Sequence, residues 1–335
     1  MRAIGPAVNG ALHGAAGRVR KPPLAPQAAP RYDEVFRNPR ELTMQRWSPR
    51  VTELAGGLQV RRVLPVAARR SVGPFVFFDH FGPVTLAAEA DTDVGPHPHI
   101  GLATVTYLFE GGFLHRDSLG TVQEIAPGAV NWMSAGHGIV HSERVPPSQA
   151  GRARALHGLQ LWVALPREAE RGEPSFQHVA AEAIPECVVE GVAVRVLVGE
   201  AFGQASPVRA ASPTLYLDLQ LPAGTPWRLP RLAEEMAVYS PTEPVEVDGH
   251  CLPPGEMALV EGPQGVELRS ALPTRLVVVG GAALDGPRMM WWNFVASERA
   301  LIEQAAERWA AGAFPAIPGE SGGLLMPPRP LHPGV

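Results

Sequence analysis

Two short histidine motifs lie in a strand-rich part of this 335-residue chain. The first is His97-Pro98-His99, and the second is His141-Ser142-Glu143. Residues i and i+2 of a β-strand point to the same face, so each motif directs two side chains to one side. If the two strands face each other across a barrel interior, three imidazole nitrogens and one carboxylate oxygen converge. The spacing therefore predicts a metal site with four ligands, His97, His99, His141 and Glu143.

The ligand types narrow the choice of metal. Three nitrogens and one oxygen suit Fe(II), Mn(II), Ni(II), Cu(II) or Zn(II), whereas Cu(I) prefers softer ligands. Four protein ligands leave one or two positions of an octahedron for water, dioxygen or a chelating substrate. A closed structural zinc site would leave no such position and would more often use thiolates. Either motif alone is a weak signal, and it is their joint presence that favours a metal centre.

Composition excludes several classes of function. The net charge is only −4 and no long basic run occurs, so nucleic-acid binding through phosphate neutralisation is not expected. No apolar run reaches the roughly 18 residues needed to cross a membrane. Cys187 and Cys251 are far apart and form no C-x-x-C pair, which argues against a disulfide framework and favours a reducing cytoplasm. We expect a cytoplasmic protein, with the oligomeric state left open and a monomer favoured.

The sequence outside the two motifs predicts two β-domains with a tail at each end. Residues 1–43 are rich in Ala, Gly, Pro and Arg, which predicts an unstructured extension or a true start at Met44. Short apolar or alternating runs, separated by Gly and Pro turns, then indicate an all-β sandwich or barrel. Strand candidates are Gln59–Leu64, Phe75–Phe78, Leu102–Phe109, Leu159–Leu165, Val192–Val198, Leu215–Leu219 and Arg275–Val279.

The same pattern of short apolar runs separated by Gly and Pro turns recurs after Pro174. Pro127-Gly128 and Pro254-Gly255 are interpreted as corresponding turns of the two halves. Ser297, as an N-cap, precedes an amphipathic run that ends at Gly312, which predicts one helix over 298–311. We therefore predict the following organisation: an extension over 1–43, a metal-binding domain over 44–170, a second domain over 171–290, a segment with the helix over 291–320, and a loose tail over 321–335.

Several motifs follow one another in order between about residues 44 and 320. They are Phe78-Asp79-His80-Phe81-Gly82-Pro83, Pro96–Gly101, Thr104–Leu108, His115–Gly120, Gly138–Glu143, Leu156–Trp162 and Trp291-Trp292-Asn293-Phe294-Val295. Together these motifs resemble the pirin family. The resemblance implies a bicupin, an all-β fold of two cupin-type barrels with a C-terminal helix. It also implies iron, Fe(II), bound in the first barrel by the residues at positions 97, 99, 141 and 143.

The family resemblance leaves two functions open. Some pirins are quercetin 2,3-dioxygenases, which implies an iron dioxygenase for flavonol-like substrates, with Glu143 as both ligand and proton acceptor. Others are redox-dependent regulators, which implies a protein partner such as a transcription factor or a metabolic enzyme. A third and weaker alternative is an isomerase or another small-molecule enzyme of the same fold.

One departure from the family pattern bears on this choice. Many pirins have a glutamate four residues after the second histidine, where this chain has Ala103. If the strand is unbroken, residue 103 shares the face of His97 and His99, and Glu110 has the opposite parity. The sequence then predicts that the site has lost an inward carboxylate that could act as a base. This departure bears on oxygenase activity more than on metal binding, because all four proposed ligands are present, and the regulator stays the alternative to the oxygenase.

The remaining histidines and aromatic residues receive weaker predictions. We expect structural hydrogen bonding for His115, and for His80 and His157 a position near the metal cavity is the alternative to a structural role. His178 and His250 are placed in the second domain, which has no motif at ligand spacing and is expected to bind no metal. Apolar residues near the motifs are interpreted mainly as core, with some lining a substrate pocket: Phe75, Phe77, Trp132, Met133, Leu159 and Leu161.

Overall fold

The computed structural model describes residues 44–53 and 58–328. Every predicted strand segment corresponds to an observed strand, so the all-β expectation is confirmed. The predictions for residues 1–43 and for 329–335 lie outside the described residues. The elements are β1 Arg46–Trp47, β2 Arg50–Glu53, β3 Gln59–Leu64, β4 Phe75–Leu86, β5 Val94–His99, β6 Leu102–Glu110, β7 Phe113–Asp117, β8 Val122–Ile125, β9 Val130–Ser134, β10 Ile139–Arg144, β11 Arg154–Ala164, β12 Ser175–Val179, β13 Glu186–Val189, β14 Val192–Val198, β15 Glu200–Ala201, β16 Gln204–Ala205, β17 Thr214–Leu221, β18 Trp227–Leu229, β19 Glu235–Tyr239, β20 Val245–Val247, β21 His250–Leu252, β22 Met257–Leu259, β23 Val266–Arg269, β24 Thr274–Gly281, β25 Met289–Trp291, β26 Phe294–Ala296, the short 3₁₀ turn Ala181–Ala183, and the helix α1 Arg299–Ala310.

The strands form two barrels with the same sheet order. In the first barrel, a seven-stranded sheet (β12-β9-β6-β11-β4-β3-β2) accompanies a four-stranded sheet (β5-β10-β7-β8). In the second barrel, the corresponding sheets are β1-β22-β19-β24-β17-β14-β13 and β18-β23-β20-β21. The predicted turn glycines, Gly128 and Gly255, both have φ of 80° and both lead into corresponding strands, β9 and β22. This repetition agrees with the predicted fold of two barrels.

A hydrophobic core joins the two seven-stranded sheets. Because side chains alternate along a strand, each of these sheets offers one face to this core and the other to its own barrel interior. On β11, Leu159, Leu161 and Val163 belong to the joint core, together with residues of the second barrel such as Tyr216 and Val277. The intervening residues of β11 face the interior of the first barrel.

Two edge strands do not follow the predicted domain boundaries. Arg46–Trp47, assigned by sequence to the first domain, pairs with Met257 and Ala258 of the second barrel. Ser175–Val179, assigned to the second domain, pairs with β9 of the first barrel. The boundary expected at residue 170 is therefore wrong at the level of sheet membership. Such long-range pairings leave no local signal in the sequence.

The C-terminal segment packs against the outer face of β5 and β10. Helix α1 begins one residue later than predicted, and its N-cap is Glu298 rather than Ser297. Ser297 instead donates from its backbone N–H and its hydroxyl to the two carboxylate oxygens of Glu170, at 2.8 and 2.7 Å. The tryptophan pair Trp291-Trp292 packs at this junction.

The beginning of the predicted loose tail is pinned to the barrel. The backbone N–H of Leu324 donates to the carbonyl of Pro96 at 2.8 Å, and Trp309 donates from its indole to the carbonyl of Leu324. Phe314 and Ile317 are buried in the same cluster. Leu324 is thus anchored to the barrel, while most residues of 321–328 are exposed, and the looseness of the tail stays a prediction. Among the described residues, no helix is long and apolar enough to span a membrane.

Candidate metal centre in the first barrel

Three of the four predicted ligands converge. Strands β5 and β10 are antiparallel neighbours, and His97 lies directly opposite His141. One ring nitrogen each from His97, His99 and His141 lies within 4.8 Å of the other two. All three histidines are buried, with exposures of 7%, 1% and 1%. The two i,i+2 motifs therefore meet at one point, as the spacing predicted.

Backbone carbonyls orient two of these imidazoles. Nδ1 of His97 lies 2.9 Å from the carbonyl oxygen of Gly95, and Nδ1 of His99 lies 2.9 Å from that of Asn293. A carbonyl only accepts, so each Nδ1 carries the proton and each Nε2 presents a lone pair. Asn293 lies in the turn between β25 and β26, so the C-terminal segment fixes the orientation of a ligand in the first barrel.

The nitrogen geometry fits a bound cation. Nε2 of His99 and Nε2 of His141 are 3.1 Å apart. Two nitrogens that bind one ion at about 2.1 Å from adjacent positions are separated by about 3 Å. In addition, Nδ1 of His141 is buried and has no hydrogen-bond partner among the described residues. The three histidines form a site for a divalent metal ion.

The electrostatics of the site also favour metal binding. Burial lowers the pKa of His97 to about 4, and it lowers the pKa values of His99 and His141 well below their usual range. The neighbouring histidines depress the pKa values of His99 and His141 further, because each disfavours a second positive charge. All three imidazoles are therefore neutral at pH 7, which is the form that binds a metal.

Glu143, the fourth predicted ligand, lies outside this close group. The group of ligand atoms within 4.8 Å of one another comprises the histidines and no oxygen of Glu143. A register shift follows His141, so that Glu143 pairs with Val94. Burial raises the pKa of Glu143 to about 7, and its carboxyl group has no charged partner to offset the loss of water. Its role as a ligand and proton acceptor stays a prediction.

The prediction drawn from Ala103 is wrong. The strand breaks after His99: Gly101 has φ of 67°, and a Cβ atom there would overlap the carbonyl of Val295. This break resets the alternation of side chains, so Ala103 lies fully buried in the core between the two barrels. Residue 103 does not face the histidines, and Ala103 gives no argument against oxygenase chemistry.

The wall opposite the histidines is aromatic and apolar. Trp162 packs edge-on to His99, with ring centroids 5.2 Å apart, and stacks on Phe77 at 4.1 Å. Met133 lies in the same cross-strand row. Of the six apolar residues singled out by sequence, only Phe77 and Met133 belong to this wall. The other four pack between the barrels: Phe75, Trp132, Leu159 and Leu161.

The other first-barrel histidines have separate roles. Nε2 of His115 donates to Oδ2 of Asp117 across 3.0 Å, which agrees with the predicted structural hydrogen bonding. Nε2 of His80 and Nε2 of His157 are 2.9 Å apart, and Nδ1 of His80 lies 2.6 Å from the hydroxyl of Tyr239 in the second barrel. His80 and His157 therefore lie between the barrels, and the alternative of cavity positions for them is wrong.

Two features of the site were not visible in the sequence. Asn293 stood in a motif quoted for the resemblance, but it acts through its backbone carbonyl, which no side-chain pattern reveals. His178 belongs to β12 and hence to the first barrel, where its Nδ1 lies 2.7 Å from Oδ1 of Asn131.

A cavity of about 450 Å³ lies behind the ligand strands, between Pro96, Val140 and the C-terminal segment, and not at the histidines.

The chain is similar to known proteins over most of its length. Residues 57–163 match the Pirin family, and residues 216–315 match the family described as Pirin C-terminal cupin domain. A pirin-like protein of Caulobacter vibrioides is 44% identical over 260 residues, which covers 77% of this chain and 90% of the relative. A putative quercetin 2,3-dioxygenase of Pseudomonas aeruginosa is 38% identical over 274 residues, covering 81% and 85%.

Solved structures agree with these matches. A crystal structure of quercetin 2,3-dioxygenase from Acinetobacter baumannii superposes with a TM-score of 0.81 at 35% sequence identity. The superposition covers 87% of this chain and 97% of that structure. The two barrels are therefore cupin barrels, as the resemblance implied.

Proposed function

Because the chain belongs to the pirin family and brings three buried histidines together in its first barrel, we propose that it is a mononuclear metal-dependent dioxygenase. The proposed substrates are flavonol-like molecules, with Fe(II) as the metal. The observation that carries the proposal is the open ligand set: three neutral imidazoles beside an aromatic wall, joined by no further ligand group from residues 44–53 and 58–328. The printed names of the Pseudomonas and Acinetobacter relatives support the same reaction class.

The residues of the proposed site have separate roles. His97, His99 and His141 hold the metal, and the carbonyls of Gly95 and Asn293 keep two of the rings in the binding orientation. A bound divalent metal supplies the Lewis acidity that lowers the pKa of a coordinated substrate hydroxyl. Trp162 and Phe77 provide a flat surface against which an aromatic substrate packs.

Glu143 is the proposed proton acceptor and fourth ligand. A carboxylate can both coordinate a divalent metal and accept a proton. The strand of Glu143 also carries His141, so the carboxyl group is attached to the same rigid element as a metal ligand. Deprotonation of the substrate hydroxyl by Glu143 would leave the flavonol as the anion that reacts with dioxygen.

Oxygen uptake tests this proposal. We expect iron-loaded protein to consume dioxygen with quercetin faster than the same amount of free Fe(II). Glu143→Gln should lower kcat by about 10²- to 10⁴-fold, which is the usual contribution of a general base. Gln304→Met, on the exposed face of α1, is the control and should keep full activity. Absence of turnover above free iron with a series of flavonols would contradict the proposal.

A further inference from the structure

A row of polar side chains crosses the inner face of the large sheet in the first barrel. Its members occupy adjacent positions on six neighbouring strands, β3, β4, β11, β6, β9 and β12, so that each pairs with the next. We refer to this set as the polar row. It consists of Arg62, Asp79, Gln160, Thr106, Asn131 and His178.

The polar row lies one step along the strands from the wall beside the metal site. Trp162, which contacts His99, and Gln160 are two residues apart on β11 and face the same way. Two residues of a strand span about 7 Å. A planar molecule that reaches the metal site at one end and lies against Trp162 therefore extends to the polar row at its other end.

Internal hydrogen bonds satisfy only part of the row. Arg62 binds both carboxylate oxygens of Asp79 at 2.8 Å, and the hydroxyl of Thr106 donates to Oε1 of Gln160 at 2.8 Å. Within the described part of the chain, however, Nε2 of Gln160 and Nδ2 of Asn131 donate to no protein group. Neither nitrogen is among the fully buried polar atoms that lack a partner, so both keep some contact with solvent although Asn131 is only 4% exposed.

His178 complements these donors with an acceptor. Oδ1 of Asn131 can only accept, so Nδ1 of His178 carries the proton of their 2.7 Å hydrogen bond. Burial lowers the pKa of His178, which keeps the ring neutral and leaves a lone pair on Nε2. The row thus offers amide donors beside an imidazole acceptor, and a phenolic hydroxyl, which both donates and accepts, matches this combination.

Solvent reaches this face of the barrel. Phe77 and Trp162 each keep 7% exposure, Thr106 keeps 7%, and Gln160 is half-buried. The corresponding inward residues of the second barrel, such as Leu217 and Val278, are 0% exposed. A ligand that displaces solvent from these amide N–H groups has to supply an acceptor, because an unpaired buried donor costs about 1–3 kcal/mol.

We propose that the polar row is a recognition site for phenolic hydroxyl groups, which selects flat polyphenols whose other end binds the metal. The inference rests on the proposed function, since it assumes that the substrate binds at the histidines. Gln160 and Asn131 would donate to the phenolic oxygen, and Nε2 of His178 would accept its proton. The row would thereby distinguish a polyhydroxylated flavonol from one that has only the metal-chelating oxygens.

Direct binding to zinc-loaded protein tests the proposal without turnover, because zinc has no redox chemistry. Two probes suffice: quercetin, and 3-hydroxyflavone, which keeps the chelating oxygen pair but lacks the other hydroxyls. We expect calorimetry to give a Kd for quercetin about tenfold or more below that for 3-hydroxyflavone. Gln160→Met and Asn131→Leu should each reduce this ratio by about three- to tenfold, the range for one lost hydrogen bond. Gln304→Met should leave the ratio unchanged.

The outcomes separate the two proposals. A wild-type ratio near one, or a ratio that both variants retain while folded by circular dichroism, would overturn the recognition site and leave the metal-dependent function standing. If neither flavonol binds zinc-loaded protein more tightly than metal-free protein, the proposed function fails and this inference fails with it. Loss of quercetin affinity alone, with unchanged affinity for 3-hydroxyflavone and unchanged zinc content, would support the proposal.

Discussion

His97 and His141 pair across two strands of the first barrel, and at the corresponding place in the second barrel Trp227 pairs with Leu268. The strand order is the same in both barrels, so the backbone offers the same positions for ligands. In the second barrel these positions carry side chains that fill the interior. The comparison shows that the fold supplies a place for a metal site but that the side chains decide whether one exists.

The inner faces of the two large sheets also differ in the polarity of their side chains. The counterpart of the polar row in the second barrel consists of five apolar residues that are 0% exposed, and it ends at the exposed Arg46 on the edge strand β1. A filled aliphatic interior contributes to stability through packing, whereas an interior that solvent enters contributes less. We infer that the second barrel mainly stabilises the molecule and that the first binds ligands. The apolar counterpart row is Val196, Leu217, Val278, Val238 and Ala258.

The largest expected effect concerns stability. Leu217→Ala should lower the free energy of unfolding by about 2–5 kcal/mol, because it leaves a cavity in a tightly packed interior. Thr104→Val, on the inner face of the first barrel, should change it by less than about 1 kcal/mol, since the Thr104 hydroxyl bonds to no group in the described ranges. Urea unfolding of metal-free protein measures both. Similar losses for the two variants would break the comparison between the barrels.

A second prediction tests the buried contact that His80 makes between the two barrels. Burial, and then the charge of Arg61, lowers the pKa of His80 to about 2, far below the value of about 6.5 expected in the unfolded chain. His80 is therefore neutral when folded, and the stability that depends on it is complete above pH 6.5 and is lost as the pH falls towards 2. In His80→Gln, we expect the loss of stability between pH 6 and pH 4 to be shallower by up to about 1.4 kcal/mol per pH unit.

Urea unfolding of both proteins at pH 7, 6, 5 and 4 measures this difference. The metal-site histidines titrate in both proteins, so their contribution cancels in the comparison. Parallel pH profiles would mean that His80 does not resist protonation in the folded state, and the buried contact with Tyr239 would then be in doubt.

The smallest expected effect concerns the C-terminal segment, which covers the first barrel. Glu320 accepts from the hydroxyl of Ser142 at 2.7 Å and from Arg144 at 2.5 Å. Arg144 is partly exposed, so Glu320→Gln should lower the free energy of unfolding by only about 1 kcal/mol. Glu303→Gln, on the exposed face of α1, is the matched control and should have no effect. Equal stability of the two variants would show that this contact does not hold the segment.

The sequence predicted the parts of the site that depend on local geometry. The i,i+2 spacing placed His97 and His99 on one face, and each β-strand candidate was found. The failures come from events that a linear pattern does not contain. The break at Gly101 reversed the parity of Ala103, and that break depends on the close approach of Val295, which is far away in sequence.

Long-range pairing accounts for the remaining gaps. The polar row exists only because six strands align in one register, and its members are scattered along the chain from Arg62 to His178. The pairing of the edge strand β12 with β9 is also a long-range contact, and it places His178 in the first barrel instead of the predicted second domain. Glu143 was identified by its spacing from His141. A register shift lies between the two residues, and Glu143 is outside the close group of the three histidines.

Elemental analysis of the purified protein tests the central claim most directly. We predict about one metal ion per chain in the wild type and almost none in His99→Ala, which removes a buried ligand of the first barrel. His250→Ala, which removes a histidine from the second barrel, should keep the wild-type content. Equal metal content in the wild type and His99→Ala would contradict a metal centre at these three histidines.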